Sequence, residues 1–186
     1  MYKPAITGTG VFTPQETITN DELVVAFNAY AERYNADNAD AIAAGTLEAK
    51  DPSSSDFILN ASGIEQRYVM NKSGVLDPEV MHPHLPPRSD DEPSIMAEMA
   101  LDACAKALAE AGRDATEVDL VICAASNHER AYPAIAIEIQ TLLGANGFAF
   151  DMNVACSSAT FGIQAAADMI RSGSCLLYTS PSPRDS

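Results

Sequence analysis

Alternation between short apolar runs and helix-like segments in the second half of the chain most limits how it can fold. Residues 119–125 and 148–155 have the composition of buried strands, and residues with helical spacing separate and follow them. A buried strand, a helix and a second buried strand in sequence are typical of parallel pairing. We therefore predict an α/β fold in which a mostly parallel sheet lies between helices.

Helix boundaries in this half are marked by prolines and glycines. Pro93 and Pro133 are each predicted to occupy the first turn of a helix, where the missing N–H costs little. Each predicted helix ends at a glycine, a residue favoured just beyond helix ends. These glycines are Gly112, Gly144 and Gly173.

The first half gives weaker signals. Thr19 and Glu22 form a capping-box pattern, which predicts a helix from about Asn20. The other expected elements are a first strand over residues 5–12, a helical surface insertion over 31–56, a turn and strand over 63–69, and a proline-rich loop over 70–93.

Composition limits the classes of function. The chain has 186 residues, 47% of them hydrophobic, which is enough for one ordinary domain with a core. A formal charge of −15 disfavours nucleic acid as a partner. Neither a membrane span nor a secretion signal is predicted, and the four cysteines lack C-x-x-C spacing, so we expect a cytoplasmic protein. His82 and His84 are expected to lie in a solvated loop, and no metal site is predicted.

Cys156 is the candidate catalytic residue. It lies between a predicted strand and a predicted helix, where backbone N–H groups and the helix dipole favour the nucleophilic thiolate. The alternative is a small buried cysteine without chemical function. Ser157 and Ser158 have no Gly-x-Ser-x-Gly context, so capping or solvation of the helix start explains them better than nucleophilic attack.

Four segments together resemble the β-ketoacyl-acyl-carrier-protein synthase III family. They are residues 6–14, the Gly-Ile-x-x-Arg segment at 63–67, residues 130–134 and residues 153–158. The resemblance extends over nearly all of residues 1–173. It implies a thiolase-like fold with two related α/β halves, of which residues 1–174 would be the N-terminal one, and it implies a homodimer. Insertions near 30–60 and 70–92 and the Met-Tyr-Lys-Pro start are more similar to the β-ketodecanoyl branch, which takes a medium-chain acyl-CoA.

The resemblance also implies an acyltransferase of fatty-acid biosynthesis. Cys156 would accept an acyl group from acyl-CoA, such as acetyl- or octanoyl-CoA, and malonyl-acyl-carrier-protein would condense with it, with no cofactor besides these substrates. The N–H of Cys156 would contribute to an oxyanion hole. Arg67 would meet the CoA phosphates, the alternative being a surface ion pair with Glu65 or a neighbour. Tyr132 would lie on a dimer loop near the partner's acyl pocket, the alternative being a half-buried turn aromatic.

The family's catalytic histidine and asparagine have no counterpart in this sequence. His82, His84 and His128 lie in other segments, and Asn153 belongs to the strand before the cysteine. The chain alone is therefore expected to be inactive in condensation and poorly soluble. A thiolase, a hydroxymethylglutaryl-CoA synthase, a polyketide starter synthase and a non-catalytic member of the fold remain alternatives.

The C-terminal end departs from the pattern. Pro181 and Pro183 exclude the central strand that should follow the last helix. Residues 175–185 resemble a translated sequencing adapter, so we expect residues 175–186 to be a non-native tail.

Overall fold

The computed structural model describes residues 3–89 and 91–175. The predicted adapter-like tail lies outside the described residues except for Cys175, which is buried. The chain divides into unit 1, Met1–Phe12 with Arg88–Ser186, and unit 2, Thr13–Pro87.

Unit 2 contains a small antiparallel sheet and four helices. Strand β1 (Glu16–Thr19) pairs with β2 (Gln66–Val69). The helices are α1 (Asn20–Asp37), α2 (Ala39–Ala43), α3 (Ser55–Ser62) and α4 (Ser73–Leu76). The predicted capping box is confirmed, because Thr19 Oγ1 accepts the Glu22 N–H at 3.3 Å and Glu22 Oε2 accepts the Thr19 N–H at 2.9 Å.

The insertion over 31–56 is only partly helical. Between α2 and α3 the chain is irregular, and two asparagine side chains of α1 bind its backbone in place of helical bonds. Asn35 binds the N–H of Lys50 at 2.8 Å and its carbonyl at 2.9 Å. Asn28 binds the N–H of Ser53 at 2.8 Å and its carbonyl at 3.1 Å. These bonds satisfy backbone groups that a helix would otherwise pair internally.

Unit 1 confirms the predicted parallel pairing. Strand β3 (Leu120–Ala124) lies parallel to β4 (Phe148–Met152), with Ile122 opposite Phe150. Among its described residues, the helices are α5 (Ile95–Ala111), α6 (Ile135–Leu143) and α7 (Ser158–Ser172), with a short 3₁₀ turn over Ala115–Glu117. The three predicted glycine stops are confirmed, since Gly112, Gly144 and Gly173 follow the three helices in the left-handed conformation.

The core of unit 1 lies between α5, α6 and one face of the sheet. Ala97, Ile135 and Ile139 form its buried centre, with half-buried Val121 and Cys123 of β3 packed against it. Helix α7 lies against β3 at a point where a Cβ on Gly162 would come within 3.0 Å of the Ala124 Cβ. The glycine allows this close approach of helix and strand.

The predicted strand over residues 5–12 is wrong, since these residues form no ladder in the described chain. Instead, this segment lies directly on α5. A Cβ at Gly8 would fall 2.1 Å from the Ala107 carbonyl oxygen, and the Thr9 N–H donates to Glu110 Oε2 at 2.6 Å. A backbone donor bound to a helix carboxylate is unavailable to a neighbouring strand.

The two prolines precede their helices rather than occupying the first turn. Helix α5 begins at Ile95 and α6 at Ile135, each two residues after its proline. Ser94 is the N-cap of α5, because its hydroxyl accepts the Ala97 N–H at 3.1 Å. Among the described residues, none of the helices has both the length and the apolar character that a membrane crossing requires.

Candidate active site

Cys156 lies in the sharp turn that joins β4 to α7. It is exposed, whereas Cys104 and Cys123 are half-buried and Cys175 is buried. Ser157 is the N-cap of α7, so Cys156 lies two residues before the first helical residue, Ser158, between β4 and α7 as predicted.

The turn before Cys156 contains a left-handed alanine. Ala155 has φ +47°, a conformation that costs a residue with a Cβ about 1 kcal/mol. The Ser157 N–H closes the turn by donating to the Val154 carbonyl at 3.1 Å. Strain of this kind persists only where the surrounding structure fixes the backbone.

Two side chains fix the cysteine turn to the end of β3. The Ser158 hydroxyl accepts the Val154 N–H at 2.8 Å and contacts the carbonyl oxygens of Ala155 at 2.7 Å and Ala125 at 3.1 Å. Asn153 accepts the Ala155 N–H at 3.1 Å. The Asn153 amide also donates to the carbonyl of Ser126 at 3.1 Å.

The role of Ser158 was missed by the sequence analysis. Ser157 makes no capping hydrogen bond, while Ser158, the first residue of α7, is only 3% exposed and binds the turn. Adjacent serines at a helix start do not reveal which one is turned inward, so the sequence contains no signal that separates them.

The backbone N–H of Cys156 is a second feature of the turn. Within residues 3–89 and 91–175, it donates no hydrogen bond to protein. A free backbone donor next to an exposed thiol is suited to binding the oxygen of a carbonyl group that the thiol attacks.

Cys104 and Cys123 are half-buried, unlike the exposed Cys156, and their burial changes the pKa of both thiols. Burial, together with the negative charge of Asp151, raises the pKa of Cys123 to about 11. Burial also raises the pKa of Cys104. Both thiols remain protonated near neutral pH, and a protonated thiol is a poor nucleophile.

Cys123, His128 and Asp151 place a sulfur, a ring nitrogen and a carboxylate oxygen within 4.8 Å of one another. The side chains of Asp151 and His128 are already engaged with backbone groups. The Asp151 carboxylate accepts the N–H groups of Ile135 at 2.9 Å and Ala136 at 2.8 Å, and His128 Nε2 lies 3.2 Å from the Cys123 carbonyl oxygen. Asp151 thereby stabilises the start of α6, whose N-cap Ala134 has no side-chain acceptor.

Tyr132 lies on the loop before α6. Its side chain is 88% exposed, so the predicted alternative of a half-buried turn aromatic is wrong. Arg130 holds this loop, since Nε donates to the Pro133 carbonyl at 3.0 Å and the guanidinium pairs with Glu138. Glu138 also accepts the N–H of Ser94 at 2.7 Å. The ring is therefore presented to solvent by a loop that is bound to two helices.

Arg67 lies on β2 in unit 2, whereas Cys156 and Tyr132 lie in unit 1. The guanidinium donates to Asn20 Oδ1 at 2.8 Å, and the Asn20 amide donates to the Ile64 carbonyl at 2.8 Å. Among the salt bridges of the described residues, Arg67 takes part in none, so the predicted ion pair with Glu65 is not formed. Arg67 instead connects β2 to the start of α1.

The sequence is similar to curated condensing enzymes. It is 58% identical over 148 residues to a β-ketodecanoyl-[acyl-carrier-protein] synthase of Pseudomonas aeruginosa, covering 80% of this chain and 42% of that protein. It is 32% identical over 174 residues to a β-ketoacyl-[acyl-carrier-protein] synthase III of Granulibacter bethesdensis, covering 93% of this chain and 40% of that protein. The chain thus spans about two fifths of the length of these relatives. No protein-family model matches it.

A solved structure has the same fold. The 3-oxoacyl-[acyl-carrier-protein] synthase III of Aquifex aeolicus superposes with a TM-score of 0.62 at 24% identity, covering 91% of this chain and 41% of that one. At this identity the similarity concerns the fold alone, and it confirms the predicted thiolase-like α/β class.

Proposed function

Because the chain is homologous to the β-ketoacyl-[acyl-carrier-protein] synthase III enzymes, we propose that it supplies the acyl-accepting cysteine of a condensing acyltransferase in fatty-acid biosynthesis. The single most important observation is the exposure of Cys156 in the turn between β4 and α7. Its acyl donor is an acyl-CoA, and its second substrate is malonyl-acyl-carrier-protein.

In the first stage, the Cys156 thiolate attacks the thioester carbonyl of acyl-CoA. The carbonyl oxygen becomes negatively charged, and the free N–H of Cys156 donates to it. Collapse of this intermediate expels CoA as its thiolate, which takes up a proton, and leaves the acyl group on Sγ. In the second stage, malonyl-acyl-carrier-protein loses carbon dioxide, and the resulting carbanion attacks the acyl-cysteine and regenerates the thiolate.

The second stage requires groups that this chain does not contain. A carbanion forms readily only when its developing enolate oxygen is stabilised by hydrogen-bond donors. We assign that task to a histidine and an asparagine of a C-terminal half. The 186 residues alone should therefore not catalyse condensation, and residues 1–174 are assigned as the N-terminal half of the enzyme, with residues 175–186 as a non-native tail.

Arg67 and Tyr132 are proposed to bind substrate. A guanidinium binds phosphate strongly, and Arg67 is held by Asn20 with several N–H donors left for the phosphates of CoA. The exposed ring of Tyr132 would approach the acyl pocket of a second protomer in a homodimer. We place the enzyme in the cytoplasm, with acyl-CoA and acyl carrier protein as its partners.

The primer is proposed to be a medium-chain acyl-CoA such as octanoyl-CoA. The similarity at 58% identity to a β-ketodecanoyl-[acyl-carrier-protein] synthase supports this choice over acetyl-CoA.

The test uses the full-length protein recovered from the source gene. Incubation with octanoyl-CoA should add one octanoyl mass to Cys156, and Cys156→Ala should remove that adduct. Cys104→Ala is the matched control, because it deletes a half-buried thiol and should leave acylation unchanged. An unmodified Cys156 at saturating acyl-CoA would overturn the proposal.

Two further measurements separate the parts of the proposal. A clear preference for acetyl-CoA would contradict the choice of primer while leaving the acyl-cysteine intact. Acylation without condensation onto malonyl-acyl-carrier-protein would indicate a different thiolase-fold enzyme. The source gene also tests the tail, which is native if its codons continue unchanged.

A further inference from the structure

One buried hydroxyl group contacts the cysteine turn at several points. Ser158 is 3% exposed, and its Oγ lies within hydrogen-bond distance of three backbone groups. These belong to Val154 and Ala155, the two residues before Cys156, and to Ala125, the residue after β3. A single side chain thus connects the helix start, the turn and the sheet.

The hydroxyl group can satisfy these contacts only in part. It has one proton and two lone pairs, so it accepts from the Val154 N–H and donates to one of the two carbonyls at a time. Acceptance from Val154 fixes the chain at the start of the turn, and donation fixes either Ala155 or Ala125. Ala155 has φ +47°, and it would relax to an extended or right-handed conformation if the turn were released.

We propose that Ser158 is a positioning residue that sets the geometry of Cys156 for acyl transfer. It does not contact the thiol through any hydrogen bond and acts through the backbone on both sides of the turn. Replacement by alanine removes the acceptor of the Val154 N–H and the donor to the carbonyls of Ala155 and Ala125, so the stabilisation from these hydrogen bonds is lost. The turn then shifts, and the thiol and its neighbouring N–H lose their fixed relation to the substrate carbonyl.

This inference rests on the proposed function, because acyl transfer is the reaction that the geometry would serve. Misplacement of a reacting atom by about 1 Å can reduce a rate by about 100-fold. In the full-length protein, Ser158→Ala should therefore lower the rate constant of Cys156 acylation by octanoyl-CoA about 10- to 100-fold, with a KM within about threefold of wild type.

Matched variants distinguish a positioning role of Ser158 from a general loss of structure around Cys156. Ser157→Ala removes an exposed, adjacent serine that makes no capping bond, and it should stay within about twofold of wild type in acylation. Ser158→Thr retains the hydroxyl and should recover most of the lost rate. Alkylation of Cys156 by iodoacetamide needs no fixed carbonyl geometry, so Ser158→Ala should change its rate by less than about threefold.

A second readout does not depend on acyl transfer. Ser158→Ala should accelerate amide hydrogen exchange at Val154 by at least about tenfold, because the N–H loses its acceptor, while Ser157→Ala should not. Wild-type exchange and wild-type acylation in Ser158→Ala would overturn the positioning role, as would a change in KM alone. If wild type is not acylated but Ser158→Ala still accelerates exchange at Val154, the proposed function fails and the structural part of the inference stands.

Discussion

Replacement of Gly147 by alanine should destabilise the protein by about 3–5 kcal/mol, a sum of three costs. Gly147 has φ +76°, and a left-handed residue with a Cβ costs about 1 kcal/mol. The added Cβ would fall 1.8 Å from the carbonyl oxygen of Asp119, and relieving such an overlap costs about 1–3 kcal/mol. That carbonyl accepts the Phe148 N–H at 3.1 Å, so its displacement loses about 1 kcal/mol more.

Gly144→Ala provides the control for the first cost. Gly144 has φ +69° at the end of α6, but a Cβ there meets no atom within 4 Å. Its replacement should therefore cost only the first of the three terms, about 1 kcal/mol. Urea midpoints and slopes of the full-length protein measure both variants. Equal destabilisation would refute the close approach of residue 147 to β3. If Gly147→Ala accumulates as insoluble protein, the soluble yields of the two variants provide the same comparison.

Two further outcomes concern titratable groups. Burial raises the pKa of Glu138, but hydrogen bonds from Ser94 and Arg130 outweigh it and hold the pKa below its usual value of 4.5. The stabilisation is therefore complete above the unfolded-state pKa and lost as pH falls through the folded-state pKa. Glu138→Gln should lower stability by about 2 kcal/mol at pH 7 and by progressively less as the pH falls below 4.5, as followed by thermal unfolding. With a pKa of about 11, Cys123 is about one part in 10³ thiolate at pH 8, so limited iodoacetamide should label Cys156 and leave Cys123 unlabelled in peptide mass spectra; equal labelling would contradict their assigned burial.

Elements defined by local signals were predictable from the sequence. The capping box at Thr19 and Glu22 required only four residues, and the glycine stops required only the conformational freedom of the residue itself. The parallel pair of β3 and β4 followed from the intervening helix, because such a connection returns the chain in the same direction.

Features that depend on distant contacts were not predictable. Residues 5–12 have the composition of a strand, but their glycines lie on the backbone of α5. Asp151 binds the first N–H groups of α6 from a strand that begins after that helix has ended, so no spacing rule near Ala134 reveals it. The cysteine turn was located correctly from the sequence, whereas the inward direction of Ser158 became visible only in three dimensions.

The Tyr132 loop and the Cys156 turn therefore both depend on one register between two strands. Asp151 of β4 stabilises the helix that follows the Tyr132 loop, and the residues after β3 bind the turn that contains Cys156. A slip of one residue would turn Asp151 to the opposite face of the sheet and remove it from α6. Gly147 stands at the start of this pairing, next to Asp119. A variant that disturbs it should therefore slow acylation of Cys156 even under conditions in which the protein stays folded, whereas Gly144→Ala should not.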